Sequence, residues 1–338
     1  MNMDHRFLAF DSYLCSLDES QFHEYTRLTP AEFSELYERV APRIRHPGTH
    51  RSPVSPMHRL AITLRYLGHG SSFVSTAHEV HLGRTTVQNI VYECGRAIID
   101  EFWREAFPLP TEATWKKSAE QFRDLWEATW KKSAEQFRDL WGYPRGVGSI
   151  DGKHFRFHAP RNSGSSFFNF KGYFSFVLLA LVDGAYRILL LDIGGKGRNS
   201  DSGLFRSSPM RKFLERSVEN FPRGGDLGGH GYVDCHVLAD GGARRIVESV
   251  FGIICSRFRI FQRPLIGTEE HCTLIVSAAL VLHNLLVDRI PSRQLLVRYT
   301  PTIEHGLREP VLRAQGRVEA QEQRMRLAEY FARRDGLK

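Results

Sequence analysis

Three carboxylates in the second half of the chain are the residues whose types and spacing point most clearly to chemistry. Asp151 closes an apolar run and precedes Gly152, and Asp240 closes another and precedes Gly241-Gly242. Glu248 falls in the next segment, where Ile246, Val247, Val250, Phe251, Ile254 and Phe258 recur on one helical face. Two strand ends and a helix could therefore bring three acids together. Carboxylate oxygens suit a hard divalent cation such as Mg2+ or Mn2+, which keeps several waters and needs only two or three such ligands. A pair of these cations can activate water and stabilise the leaving oxygen of a phosphodiester. The residue types leave a second reading open, because Asp-Gly is a common turn pair and a helix glutamate is commonly solvated.

The elements that must position these acids follow from the change of period after Pro144. Val147 to Gly152 leads into Phe155-Arg156-Phe157, a strand pattern. Phe174 to Val182 and Arg187 to Ile193 are continuous apolar runs, as expected of strands covered on both faces. The Asp183-Gly184 turn between them predicts an antiparallel pair. His236 to Asp240 is a further short strand, and Ala243 to Phe261 a helix.

The first third is helical. Thr29 caps a helix opened by Pro30, and another helix runs from Ser55 or Pro56 to Gly68. A short helix spans Phe73 to Val80. Gly83 marks a turn, Thr85 can cap, and Val87, Ile90, Val91 and Ile98 form the stripe of a longer helix. Short helix, glycine turn and longer helix make a helix-turn-helix pattern. In that reading Arg84, Thr85, Thr86, Gln88 and Asn89 face a DNA major groove, with side chains suited to adenine, guanine and phosphate. Many helical proteins have such a corner with no nucleic acid nearby, so the local pattern leaves this open.

Composition narrows the class. The chain has 338 residues, 42% hydrophobic and 25% charged, a globular balance with room for roughly two domains. Lys+Arg number 46 against 38 Asp+Glu, a formal charge of +8 that suits a polyanionic partner. The five cysteines show no C-x-x-C spacing, so neither a disulfide scaffold nor a zinc knuckle is expected. A reducing compartment, cytosol or nucleus, follows. Met1 to Phe10 lacks the apolar core of a secretory signal. The apolar run Cys272 to Val287 contains His283 and Asn284 and is expected to be a core helix rather than a membrane span.

Glu112 to Trp126 and Glu127 to Trp141 carry the same fifteen letters, EATWKKSAEQFRDLW. At ~100° per residue the two apolar stripes are rotated by roughly 60°, so one copy is expected to pack and the other to protrude. Gly194 to Gly203 is glycine-rich but lacks phosphate-loop spacing. His154 and His158 lie four apart on a strand, which is not a zinc-ligand spacing. Arg244, Arg245, Arg257 and Arg259 make a candidate phosphate surface on the helix of Glu248, although most charged helix faces are merely solvated.

Taken together, these blocks resemble a PIF/Harbinger transposase-derived nuclease of the DDE endonuclease superfamily. The resemblance runs from about Thr29 onward. It rests on Leu60 to Leu67, Gly148 to His154, Ala159-Pro160 with Asn162 to Ser165, and Phe168-Asn169-Phe170-Lys171-Gly172. Further on it rests on Ser200-Asp201, Arg244 to Glu248 with Phe251 to Ile253, Arg257-Phe258-Arg259, and Leu282-His283-Asn284. It implies an α/β fold: an RNase H-like mixed sheet flanked by helices, preceded by the all-α helix-turn-helix region. It also implies DNA cleavage with a divalent metal cation (Mg2+ or Mn2+), and Asp151, Asp240 and Glu248 as the metal-binding catalytic acids. Lys153, Lys171, Arg244, Arg245 and Arg257 join Arg84, Thr85, Gln88 and Asn89 as candidate DNA contacts. The family further implies a nuclear protein with a Myb/SANT-like DNA-binding partner; the sequence itself gives cytoplasm as the other compartment, no membrane association, and an oligomeric state left open. The implied layout is a helical region over 1–110, a helical linker with the duplication over 111–143, the nuclease domain over 144–290, and a tail with a terminal helix over 291–338.

One departure bears on activity. The family separates its second and third acids by several tens of residues, whereas here the interval is 248 − 240 = 8. A segment after Asp240 is missing relative to the family, and Asp234 is the weaker alternative for the second acid. Glu248 reaches the others only if its helix folds back beside the Asp240 strand. The sequence therefore supports two functions: a metal-dependent endonuclease, or a DNA-binding descendant that no longer cuts.

Overall fold

Ser175–Val182 is buried at every position, which requires helices on both sides of the sheet it belongs to. The computed structural model describes residues 3–48, 53–107, 119–159, 163–239, 244–299 and 318–336. Its strands are β1 (Gly146–Arg156), β2 (Ser175–Val182), β3 (Ile188–Lys196), β4 (Gly225–Asp226), β5 (Tyr232–Val233) and β6 (His236–Ala239). Among the described residues the first helices are α1 (Met3–Ser16), α2 (Glu19–Thr26), α3 (Pro30–Ile44), α4 (Pro56–His69), α5 (Phe73–Glu79) and α6 (Arg84–Ala106). Then come α7 (Ala119–Trp141), α8 (Asp201–Ser207), α9 (Pro209–Ser217), α10 (Arg244–Arg257), α11 (Glu269–Val287), α12 (Ser292–Arg298) and α13 (Val318–Arg334).

The main sheet has the order β3-β2-β1-β6. β1 pairs antiparallel with β2, β2 antiparallel with β3, and β6 parallel with β1. Side chains opposite one another share a face. Ser149, Asp151, Lys153 and Phe155 therefore lie with Val182, Ala180, Leu178 and Phe176 on one face, and Ile150 and Gly152 with Leu181 and Leu179 on the other. The first face packs on α10 and joins a large core built with the N-terminal helices and α11. The second face is covered by α7 and α9 through Trp126, Trp130, Met210 and Leu214.

The described end of the duplicated segment thus packs on the sheet through Trp126 and Trp130. The second copy packs through Trp130 and Phe137, and the last residue of the first copy, Trp126, packs beside Trp130 with ring centroids 5.1 Å apart. The remainder of the first copy up to Ser118 lies outside the described residues. Gly184 sits directly on the α7 backbone at Gln136-Phe137, where a Cβ has no room, and its carbonyl accepts from Trp141 Nε1 at 2.8 Å. Asp183 beside it is buried, and its Oδ1 accepts from the Ala185 and Arg187 amides at 2.8 and 2.9 Å. Burial raises its pKa to about 6, while those bonds oppose the rise.

Local signals set the helix starts. Thr29 and Glu32 form a capping box ahead of Pro30. The residue before α6 is Gly83, with no side-chain cap, so Thr85 lies inside the first turn instead of capping it. Leu282-His283-Asn284 is structural. Asn284 Nδ2 donates to the Ala106 and Ile188 carbonyls at 2.9 and 2.8 Å, and its Oδ1 accepts from the Ile188 amide at 3.0 Å. His283 Nε2 donates to the Tyr186 carbonyl at 2.9 Å. One turn of α11 thereby ties the end of α6 to the start of β3. α11 is long and apolar enough to cross a membrane, but 72% of its most apolar window is buried inside this fold. The glycine cluster Gly224 to Gly231 forms the β4-β5 hairpin, capped by Leu327 of α13.

Candidate functional site

Asp151 lies in the middle of β1 on the face that α10 covers, half-buried, with Lys153 two residues along on the same face. Glu248 is exposed in the second turn of α10, beside Val247 and Val250, which are fully buried. Four residues separate it from the first helical residue, Arg244, a rise of ~6 Å. The face bearing Asp151 and the helix bearing Glu248 are therefore in contact. Asp240 lies outside the described residues. The parallel register nevertheless pairs Ile150 with Ala239, the residues immediately before Asp151 and Asp240.

The same register separates the two candidates for the second acid. β6 starts opposite Gly146, and Asp234 precedes β6, at the end of the sheet away from Asp151. Its carboxylate instead accepts from Gln323 of α13 at 3.4 Å. Asp234 belongs to the C-terminal packing and not to the face of Asp151.

Asp201 has a definable place. Its carboxylate occupies the space that a side chain on Gly152 would need, so the glycine after Asp151 is required by close packing. Gly152→Ala is expected to push α8 away from β1 and cost about 1–3 kcal/mol, as overpacking does. Urea unfolding checks this, and the double variant with Asp201→Gly should recover part of the loss.

Among the described residues no three His, Cys, Asp or Glu side chains form a group that could hold a metal ion. The donor set nevertheless fits a hard cation: all three sequence candidates are carboxylates, two are placed on facing elements, and the strand register leads to the third.

The candidate DNA contacts separate by burial. Arg84, Thr85 and Asn89 are exposed along the start of α6. Gln88 is half-buried and its amide donates to Tyr92 Oη at 3.1 Å, so it serves the helix packing first. Lys171 and Arg245 are exposed and Lys153 is half-buried. The side chain of Arg244 lies outside the described residues. Arg257 contradicts the expectation of a phosphate contact: it is 1% exposed, with its guanidinium 4.6 Å from the Tyr299 ring centroid. A helix position that faces the core cannot reach a phosphate, whatever its charge.

Residues 150–242 match the family described as DDE superfamily endonuclease. The matched span takes in Asp151, Asp201 and Asp240 and ends before Glu248. No curated protein and no solved structure matches the chain.

Proposed function

We propose that this chain is a transposase-derived nuclease of the DDE type that hydrolyses DNA phosphodiesters with Mg2+ or Mn2+, and that its descent is from a Harbinger transposase. The observation that carries the reading is the parallel β1-β6 register, Ile150 opposite Ala239, inside the span that matches the DDE family. Three antiparallel strands with a fourth parallel to the first, helices on both faces, and an acid following each of the two parallel pairing ends suit an RNase H-like core.

In this reading Asp151, Asp240 and Glu248 hold the divalent cation. When bound, such a cation supplies a water activated at neutral pH and charge stabilisation for the leaving oxygen. The chain does the rest. Lys153 neutralises a phosphate oxygen on the face of Asp151. Arg245 and Arg84 hold backbone phosphates, which makes affinity fall steeply with salt. Thr85 and Asn89, exposed at the start of α6, meet base edges in this reading. Nuclear location and a Myb/SANT-like partner extend the same reading.

A second reading, a DNA-binding descendant without cleavage, is favoured by the eight-residue interval between Asp240 and Glu248. Plasmid nicking separates the two. The nuclease reading expects relaxed circles with Mg2+ or Mn2+ and none with chelator; DNA retardation without nicking would favour the second.

A further inference from the structure

The strands that carry Asp151 continue into a second feature that the catalytic reading does not use. Beyond β1, residues 168–174 form a tight hairpin. Phe168 bridges Phe174 antiparallel, the Asn169 amide donates to the Tyr173 carbonyl at 3.0 Å, and Gly172 closes the turn at φ +83°. Three of its aromatic rings are turned to solvent: Phe168 is 45% exposed, Phe170 62% and Phe174 38%. Soluble proteins rarely group large exposed aromatic side chains without a partner.

The hairpin is rigid. Asn169 is buried at its base, where its Nδ2 donates to Ser175 Oγ at 2.9 Å and its Oδ1 accepts from the Lys171 and Tyr173 amides. His154 Nδ1 is 2.9 Å from the same Ser175 Oγ, and the His154 ring meets Phe170 edge-on at 5.8 Å. His154 is three residues beyond Asp151 on β1, about 10 Å along the strand and on the opposite face of the sheet. Two cations flank the hairpin, and Lys171 Nζ lies 5.9 Å from the Phe170 ring centroid. Lys171 stands at the tip, and the Arg156 guanidinium lies 4.2 Å from the Tyr173 ring centroid.

Exposed, preorganised aromatic faces interleaved with cations are the chemistry that holds unpaired nucleotides, because bases stack on rings while cations follow the backbone. A duplex hides its base faces and offers these rings nothing to stack on. We infer that the 168–174 hairpin binds unpaired bases of DNA, held by the far end of the strand that carries Asp151, with Phe168 and Phe170 as stacking platforms and Lys171 on the backbone. This rests on the nuclease reading for its choice of DNA and gives that site a preference for locally opened or single-stranded substrate.

The test uses the full chain and fluorescence anisotropy with labelled oligothymidylate and a duplex of equal length. Phe170→Ala should weaken oligothymidylate binding at least roughly tenfold and leave duplex binding within about twofold. Phe170→Trp should restore it, which a folding defect would not allow. Lys171→Ala should instead flatten the salt dependence. Equal losses on both DNAs, or oligothymidylate binding indifferent to Phe170, would overturn the inference. No oligothymidylate binding by the wild type would also overturn it and leave the patch to a protein partner. The two readings fail separately. Binding through Phe170 without nicking defeats the nuclease and not the hairpin, whereas nicking without a Phe170 effect on binding defeats the hairpin alone.

Discussion

Asp151→Asn is expected to lower metal-dependent nicking by at least about 100-fold, roughly 3 kcal/mol of transition-state stabilisation. The substitution keeps the side-chain shape and removes the charge that a cation needs. β1 pairs with β2 at this point and with β6 up to Ile150, so the strand should not move. The melting temperature should therefore stay within a few degrees of wild type. Asp234→Asn is the matched control. It lies at the other end of the sheet, so nicking should be unchanged; equal loss in both variants would place the second acid wrongly.

Stability is expected to fall steeply between pH 7 and pH 5, because two histidines are locked in the neutral form. His283 is fully buried against the Tyr186 carbonyl, and burial lowers its pKa from 6.5 to about 3. His58 is buried in a stack with Phe10, ring centroids 3.7 Å apart, and its pKa falls to about 4 for the same reason. Both folded-state values lie below the unfolded value. Their contribution is therefore complete above pH 6.5 and is lost as pH falls, when only the unfolded chain takes up the protons. By pH 5 each costs about 2 kcal/mol, together a large share of the ~5–15 kcal/mol that holds a domain folded. Asp183 has the opposite sign. Its raised pKa favours the folded state as pH falls below about 6, offsetting ~1 kcal/mol at pH 5. Urea midpoints measured from pH 7 to pH 5 check the sum, and His283→Gln should flatten the slope. A flat profile in the wild type would contradict the burial of both rings.

The parts legible in the sequence are those where local chemistry and tertiary packing agree. The apolar runs at 174–182 and 187–193 became β2 and β3 within a few residues, because both faces of those strands are covered and no alternation is needed. Thr29 caps as its spacing with Glu32 indicates. What local pattern could not show was the identity of distant neighbours. Arg257 has the same residue type as an exposed phosphate ligand, and only the approach of Tyr299 shows that it is interior. Leu282-His283-Asn284 looked like one more motif of a functional family, and its partners Ala106, Tyr186 and Ile188 make it a structural clamp. Asp201 belongs to a motif whose letters do not say what it packs against, and its carboxylate fills the place of a Gly152 side chain. Of the duplicated fifteen residues, the second copy packs as its stripe indicates and Trp126, the last residue of the first, packs beside Trp130, while the start of the first copy lies outside the described residues. Of the candidate acids, Asp151 and Glu248 were found on elements in contact, while Asp240 falls among the residues not described.

The central claim is that an eight-residue step from Asp240 to Glu248 still gathers a divalent cation. Mn2+ titration of the full chain, followed by electron paramagnetic resonance with DNA absent, tests it without requiring turnover. The account predicts saturable binding that Asp151→Asn and Glu248→Gln each abolish and Asp234→Asn leaves intact. Saturable binding unchanged in Asp151→Asn and Glu248→Gln, or none in the wild type, would contradict it.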